Sequence, residues 1–150
     1  WGRPDMALFL FTKAMLEGQA INVFNEGKMI RDFTFIDDIV QSLLKVLDKP
    51  ATACNSFNPK LPNPSKSWCP YRIFNIGNSQ PIPLMEYIGA LEESLGVKAI
   101  KNYMPMQPGD VKATAANTSS LEEWIKFKPN TPVIDGVSEF VRWYKDFYSL

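Results

Sequence analysis

Apolar residues recur at helical spacing in five segments of the chain. In the clearest segment, residues 36–47, they follow an i, i+3, i+4, i+7, i+8, i+11 pattern that is typical of an amphipathic helix. Asp37 and Asp38 lie in its first turn, where the helix dipole favours negative charge. A Ser119-x-x-Glu122 capping box marks the start of another helix. Including that one, the pattern predicts four further helices, over residues 6–16, 84–95, 119–125 and 133–147.

Short β-prone runs separate these helices. Residues 21–24 and 29–35 flank a turn, which is compatible with a β-hairpin. Residues 71–76 carry apolar side chains on both faces, as in a buried parallel strand, and residues 97–104 read as a fourth strand. Four prolines favour a loop over residues 51–70. Because strands and helices interleave, the pattern predicts an α/β or α+β fold.

Composition excludes several classes of function. The 16 basic and 16 acidic residues leave no basic excess for nucleic acid, and the longest apolar run, residues 6–11, is too short to span a bilayer. Histidine is absent, which excludes Ser-His-Asp and Cys-His catalysis and histidine-ligated zinc. Two cysteines, Cys54 and Cys69, cannot supply a four-thiolate zinc site. A reduced cytoplasmic protein without a metal site is the simplest interpretation, and a Cys54–Cys69 disulfide is the alternative.

Five strings in order resemble a known family. The strings are WGRPDMA at residues 1–7, RDFTFIDDIV at 31–40, YRIFNIGN at 71–78, MPMQPGDV at 104–111 and KPNTP at 128–132. Together they resemble the NAD-dependent nucleotide-sugar epimerase/dehydratase family, the extended short-chain dehydrogenases, and in particular its UDP-glucuronate 4-epimerases. The resemblance extends over essentially all 150 residues.

The resemblance implies that part of the family's machinery lies outside this chain. The family holds NAD on a glycine-rich loop and oxidises the sugar with a Tyr-x-x-x-Lys pair. None of the five tyrosines here has lysine four positions on, and the eight glycines contain no G-x-x-G-x-x-G or G-x-G-x-x-G. We therefore expect a single C-terminal substrate-binding domain over residues 1–150, with a flexible loop at 51–70. The N-terminal Rossmann half, the NAD site and the catalytic residues are then absent, and the chain alone is expected to be inactive.

The resemblance assigns two arginines to the substrate. Arg31 corresponds to the arginine that contacts the UDP diphosphate, for which a planar fork of donors is suited. From its position alone it is equally compatible with a surface arginine near a strand end. Arg3 corresponds to an arginine near the sugar carboxylate. As a cation just before a helix it needs an anion nearby, and Asp5 is the alternative partner.

Five further residues complete the expected substrate site. Ile21, Val23 and Phe24 match the strand whose backbone reads the uracil and whose apolar side chains pack on it, although an ordinary edge strand fits equally. Asp110 matches an aspartate near the ribose, or is a turn residue after a glycine. Gln107 lies where some relatives carry a second phosphate-binding arginine.

The expected function of the parent protein is to convert UDP-glucuronate into UDP-galacturonate through a 4-keto intermediate, with bound NAD, for cell-surface polysaccharide. The alternatives are a UDP-galactose 4-epimerase, a 4,6-dehydratase, or a non-catalytic module that binds nucleotide sugars. The family is typically dimeric through the other half. Without that half we expect exposed apolar side chains, such as Phe9, Phe11 and Phe74, and self-association of the chain.

Overall fold

Helices and short strands alternate along residues 3–150, the part of the chain that the computed structural model describes. All five expected helices are present, within one residue of the expected bounds, so the α/β prediction is confirmed. A short 3₁₀ turn, Asn25–Gly27, follows the first strand. The elements are α1 (Ala7–Leu16), β1 (Ala20–Phe24), β2 (Ile30–Arg31), α2 (Ile36–Leu47), β3 (Ile82–Pro83), α3 (Leu84–Leu95), β4 (Ile100–Met104), α4 (Ser119–Ile125) and α5 (Val133–Phe147).

The strands pair differently from the expected hairpin. β1 lies parallel to β4, in register from Ala20 opposite Ile100 to Phe24 opposite Met104. β2 instead pairs antiparallel with β3. The hairpin prediction is wrong because both strands find partners that come much later in the chain. A parallel pair requires a long crossover connection, and here α2 and α3 lie within it.

The core forms where α1, α3 and α5 pack around β1. The side chains of Ile21 and Val23 are 2% and 0% exposed, and they contact the inner faces of these helices. Phe33 stacks on Tyr87 with ring centroids 4.2 Å apart. The buried cluster contains Phe11, Met15, Ile21, Val23, Tyr87, Ile88, Ala90, Leu91, Leu95, Val137 and Val141.

Helix α2 has the expected bounds but buries two polar side chains, Asp38 and Ser42. Asp38 is 7% exposed and its Oδ2 accepts a hydrogen bond from the Thr131 backbone N–H at 3.0 Å. Ser42 is fully buried, and its hydroxyl donates to the Asp38 carbonyl. The apolar side chains of α2 point outward: Ile36, Val40, Leu43, Leu44 and Leu47 are 43–75% exposed. We call these five residues the α2 face.

The prediction that Phe9, Phe11 and Phe74 are exposed is only partly right. Phe11 is buried in the core, at 9% exposure, because α1 turns it towards β1. Phe9 and Phe74 are half-buried; Phe9 packs edge-on against Phe140 and Phe74 lies near Trp124. The α2 face, with five apolar side chains on one helix, is an exposed apolar surface that was not expected.

Residues 71–76 form no strand, which corrects the predicted buried strand. A strand needs a neighbouring strand for its hydrogen bonds. Within residues 3–150 the backbone of this segment makes a single bridge, between Arg72 and Lys66, and one hydrogen bond from the Ile73 N–H to the Ser65 carbonyl. Ile73 is consequently 52% exposed. Residues 51–70 form a loop, as predicted.

Glu92 ties α3 to β4 and provides a pH-dependent contribution to stability. Its side chain is 9% exposed, and its carboxylate accepts hydrogen bonds from Lys101 Nζ at 2.5 Å, Lys98 Nζ at 2.9 Å and the Ala99 N–H at 3.1 Å. The Lys101 ammonium, followed by that of Lys98, lowers the pKa of Glu92 from 4.5 to about 2. Because the folded pKa is lowered, the stabilisation is complete above pH 4.5 and is lost as the pH falls towards 2.

Replacing Glu92 with glutamine is expected to lower the free energy of unfolding by about 1–2 kcal/mol at pH 7, because the charged contact with Lys101 is lost. The contact with Lys98 adds little to this value, since the Lys98 side chain is exposed. Urea denaturation from pH 7 to pH 2 measures this, and the two proteins should converge at the acid end. Glu93→Gln is the matched control. Glu93 is the next residue in the chain and is exposed, so this substitution should leave the pH dependence of the free energy of unfolding unchanged. A constant gap at every pH would contradict the assignment.

Candidate functional site

Arg31, on β2, is held in place by Asp110, which lies 79 positions later in the chain. Arg31 Nη2 donates to Asp110 Oδ1 at 2.9 Å, and Nη1 donates to the carbonyls of Ile30 and Lys112 at 2.9 and 3.4 Å. The two charged side chains are 24% and 32% exposed. Backbone hydrogen bonds between Ile30 and the segment 112–114 bring the two residues together.

The guanidinium of Arg31 keeps part of its donor capacity. Arginine has five N–H donors, and three of them make the contacts above. The Nε–H and one hydrogen of Nη2 remain for an anion. Because the three contacts fix the plane of the group, an incoming phosphate meets a fork that is already oriented.

Asp110 ends a turn that begins at Gln107. The Asp110 N–H donates to the Gln107 carbonyl at 3.2 Å, and Gly109 adopts φ +82°, which favours glycine. Asp110 Oδ1 also accepts the Val111 N–H at 2.7 Å, whereas no hydrogen bond within residues 3–150 occupies Oδ2. Gln107 is exposed at the start of the same turn. Asp110 is thus both a turn residue and the charged partner of Arg31.

Strand β1 leads towards this site through its partner β4. Phe24 pairs with Met104, and residues 105–109 continue from there to Asp110. The side chains of Ile21 and Val23 lie in the core, so these two residues can offer only backbone groups to a ligand. Phe24 is half-buried. Within the described chain no strand other than β4 pairs with β1, which leaves its second edge unpaired.

Arg3 lies before α1 and is paired with Asp5. Its Nη2 and Nε donate to the two carboxylate oxygens at 2.6 and 3.2 Å, and its side chain is 73% exposed. The hydrogen bond to Asp5 raises the pKa of Arg3, and the same bond lowers the pKa of Asp5. Asp5 is thus the partner of Arg3 in the structure. No hydrogen bond among residues 3–150 links Arg3 to Arg31 or Asp110.

Asp32 is the residue that sequence reasoning missed. Its carboxylate accepts three backbone N–H groups, from Ser79 at 3.0 Å, Ala116 at 3.2 Å and Gln80 at 3.3 Å. It therefore fastens two later segments to the end of β2. The sequence signal that could have identified Asp32 is its position next to Arg31. Because neighbouring side chains of an extended chain point to opposite sides, Asp32 is expected to face away from Arg31.

Gly77 allows the two segments that Asp32 binds, around Ser79 and Ala116, to lie close to each other. A Cβ atom built there would lie 2.7 Å from the Ala116 Cβ, closer than packed carbon atoms allow. The described residues contain no group of three or more histidine, cysteine, aspartate or glutamate side chains that could hold a metal ion. None of the helices in residues 3–150 has the length and apolar character needed to cross a membrane.

Comparison with known proteins decides the family. The model of the NAD dependent epimerase/dehydratase family matches residues 2–77, half of the chain. The chain belongs to this family. The epimerase/dehydratase fold also matches in three dimensions: a UDP-glucuronic acid 4-epimerase from Bacillus cereus, solved with UDP-glucuronic acid and NAD, superposes with a TM-score of 0.77 at 28% identity. That match covers 97% of this chain and 41% of the Bacillus chain.

Two curated relatives are more similar in sequence. Protein CapI of Staphylococcus aureus is 51% identical over 148 residues, covering 99% of this chain and 44% of CapI. A probable UDP-glucuronate 4-epimerase of Rhizobium meliloti (strain 1021) is 42% identical over 149 residues, again 99% of this chain and 44% of the relative. The chain thus spans less than half the length of these relatives.

Proposed function

We propose that this chain forms the UDP-sugar-binding part of a UDP-glucuronate 4-epimerase, which converts UDP-glucuronate into UDP-galacturonate through a 4-keto intermediate. The observation that carries the proposal is the oriented guanidinium of Arg31, with its Nε–H and one Nη2 hydrogen unused, beside Asp110. The similarity to a probable UDP-glucuronate 4-epimerase supports the choice of sugar. The similarity to CapI supports a role in making cell-surface polysaccharide precursors. We propose that this role is cytoplasmic.

Arg31 and Asp110 divide the recognition of the UDP between them. The free donors of Arg31 bind oxygens of the diphosphate, while Asp110 Oδ1 keeps the guanidinium in place. Asp110 Oδ2 is open to accept a hydrogen bond from a ribose hydroxyl. The unpaired edge of β1, at residues Ile21, Val23 and Phe24, supplies backbone donors and acceptors for the uracil, and Gln107 lies at the rim.

NAD supplies the hydride acceptor and donor of the proposed reaction. The residues present here do not fit a dinucleotide site: no glycine-rich phosphate motif occurs, and β1 runs into the Asn25–Gly27 turn rather than into a helix N-terminus. We propose that NAD binds to the rest of the parent protein. The 150-residue chain alone then has no turnover.

A UDP-galactose 4-epimerase or 4,6-dehydratase parent is the second candidate. The observation that favours it is the Arg3–Asp5 pair, because Arg3 must leave Asp5, or share it, before it can hold a sugar carboxylate. A non-catalytic module that binds nucleotide sugars would use the same Arg31 site without turnover. Isothermal titration of the chain with UDP-glucuronate, UDP-glucose and UMP tests the proposed function; binding of none of them contradicts it.

A substitution of Arg3 distinguishes a UDP-glucuronate 4-epimerase from the other candidate functions. Arg3→Ala is expected to weaken binding of UDP-glucuronate about 10-fold, the value of one exposed charge-assisted contact, and to leave UDP-glucose and UMP unchanged. The three titrations above measure it. Asp5→Asn is the control, because it frees Arg3 and should not weaken UDP-glucuronate. Equal losses for all three ligands would assign Arg3 to the nucleotide instead.

The α2 face supports self-association of the chain. Five apolar side chains on one helix are 43–75% exposed, and a surface of this kind drives association in water. We expect the apparent mass in light scattering to rise with concentration and Leu43→Glu to lower it towards that of a monomer. Leu61→Glu is the matched control, since Leu61 is 80% exposed but lies in the loop over residues 51–70, outside the α2 face. A monomer at every concentration would contradict the proposal. We propose that the parent dimerises through its other half.

A further inference from the structure

The strand that carries Arg31 lies between two other stretches of the chain. On one side, residues 79–83 contain β3, which pairs antiparallel with β2 over two residue pairs. On the other side, residues 110–116 make two backbone hydrogen bonds with Ile30, at 2.9 and 3.2 Å. We call these two stretches the flanking segments. Both pairings with β2 are short, so contacts beyond the paired residues contribute to the register of the flanking segments.

Asp32 joins the two flanking segments directly after the last paired residue of β2. Its Oδ2 accepts the Ser79 N–H at 3.0 Å and the Ala116 N–H at 3.2 Å. Its Oδ1 accepts the Gln80 N–H at 3.3 Å. A single half-buried carboxylate is therefore bonded to the segments on both sides of Arg31.

The two flanking segments also touch each other at this carboxylate. The Ser79 hydroxyl donates to the Ala116 carbonyl at 3.0 Å. A Cβ atom built on Gly77 would lie 2.7 Å from the Ala116 Cβ and 3.4 Å from Asp32 Oδ2. Asp32, Ser79 and Ala116 thus form a close-packed junction, which we call the Asp32 junction.

The segment that is bonded at Ala116 also orients the guanidinium of Arg31. It contains Asp110, whose Oδ1 accepts from Arg31 Nη2 at 2.9 Å, and the Lys112 carbonyl, which accepts from Nη1 at 3.4 Å. Two of the three acceptors of the guanidinium therefore belong to this segment. Ala116 lies only four positions after Lys112, so a shift of the chain at Ala116 displaces these acceptors.

We propose that Asp32 is a positioning residue for recognition of the UDP diphosphate. It holds residues 110–116 in register and thereby keeps the unused N–H donors of Arg31 directed at the phosphate oxygens. This inference rests on the proposed function, because it concerns the same ligand. It requires that weakening the Asp32 junction lowers the UDP affinity of folded molecules and that the loss passes through Arg31. A purely structural role would lower the folded fraction and leave the affinity of folded molecules unchanged.

A double-mutant cycle between Asp32 and Arg31 tests this requirement. Asp32→Asn replaces one acceptor oxygen with an N–H₂ group, which cannot accept from a backbone N–H. Titration with UDP is expected to show about 5-fold weaker binding, which is typical of one lost hydrogen bond. In the Arg31→Ala chain the same substitution should change the UDP affinity less than about 2-fold, because the group that Asp32 positions is gone. An unchanged affinity in the Arg31 chain, or equal losses in both chains, would overturn the proposal.

Asp38→Asn is the matched control for general damage to the fold. Asp38 is buried, and its carboxylate accepts the Thr131 N–H but makes no hydrogen bond to either flanking segment within residues 3–150. This variant should be destabilised and should bind UDP as the unmodified chain does, within about 2-fold. A loss as large as that of Asp32→Asn would overturn the proposal. Where circular dichroism shows that Asp32→Asn does not fold, Ser79→Ala, which removes the hydroxyl from the same junction, takes its place in the cycle.

A measurement without ligand separates this inference from the proposed function. The ¹H–¹⁵N nuclear Overhauser effect of the Arg31 Nε–H is expected to fall in Asp32→Asn, because the guanidinium becomes more mobile, and to stay unchanged in Asp38→Asn. An unchanged Arg31 value in folded Asp32→Asn would overturn the inference, while UDP binding by the unmodified chain would still support the proposed function. If the unmodified chain does not bind UDP, the proposed function fails, and the role of Asp32 towards the diphosphate fails with it.

Discussion

Replacing Arg31 with alanine is expected to weaken the binding of UDP, UMP and UDP-glucuronate alike, by about 10- to 100-fold. Hydrogen bonds to a charged group contribute about 1.5–3 kcal/mol, and Arg31 supplies the oriented donors at the proposed diphosphate position. The loss should be common to all three ligands because each of them carries at least one phosphate group on the same uridine. Isothermal titration of each variant measures it.

Two controls make the Arg31 result specific. Arg142→Ala removes another arginine that is paired with a carboxylate, Glu139, but on the exposed side of α5, and it should leave binding unchanged. Arg31→Lys keeps the charge and loses the planar fork, so it should recover only part of the affinity. If Arg31→Ala binds all three ligands as well as the unmodified chain does, the diphosphate assignment is wrong.

Replacing Asp32 with alanine is expected to lower the free energy of unfolding by about 2–4 kcal/mol. Three backbone N–H groups, those of Ser79, Gln80 and Ala116, lose a charged acceptor at once. Urea denaturation at pH 7 measures the change. This is the largest stability effect that we expect from a single polar side chain in the structure.

The neighbouring Asp37 provides the control for Asp32. It is exposed in the first turn of α2, where its carboxylate interacts only with the helix dipole, so Asp37→Ala should cost about 0.5–1 kcal/mol. Asp32→Asn keeps one acceptor oxygen and should lie between the two. Equal losses for Asp32→Ala and Asp37→Ala would show that the three hydrogen bonds contribute little.

The helices were predictable because their signals are local. The apolar spacing and acidic first turn of α2 gave bounds that the structure reproduces. The capping box illustrates the limit of such signals: the helix is present, but its N-cap is Thr118, whose hydroxyl donates to the Glu122 carboxylate, one position before the expected serine. Side-chain hydrogen bonds of this kind depend on atomic positions that spacing alone does not fix.

Strand pairing and the direction of α2 were not predictable from local pattern. β1 and β4 lie about 80 positions apart, and no turn signal connects them. On α2 the expectation that apolar side chains are buried is wrong. Asp38 and Ser42 are buried instead, because the Ser42 hydroxyl donates to the Asp38 carbonyl and the Thr131 N–H donates to the Asp38 carboxylate, while the apolar side chains face outward. The periodicity shows that a helix is amphipathic but not which face the neighbouring elements cover.

The candidate site shows the same division. The family resemblance pointed to Arg31 and Asp110 separately, whereas their 2.9 Å contact, and hence the orientation of the guanidinium, required the fold. The resemblance grouped Ile21 and Val23 with the uracil, but alternation along β1 turns their side chains into the core. Asp32 was inconspicuous because its partners are backbone groups, which carry no sequence signature.

The measurement that tests the central claim most directly is a titration of the ¹⁵N-labelled chain with UDP, followed by nuclear magnetic resonance. The expected result is a saturable shift of the Arg31 Nε–H signal together with the amides of β1 and of residues 110–112. A saturable shift confined to other surfaces, or no shift at millimolar UDP, would contradict the assignment of the diphosphate to Arg31.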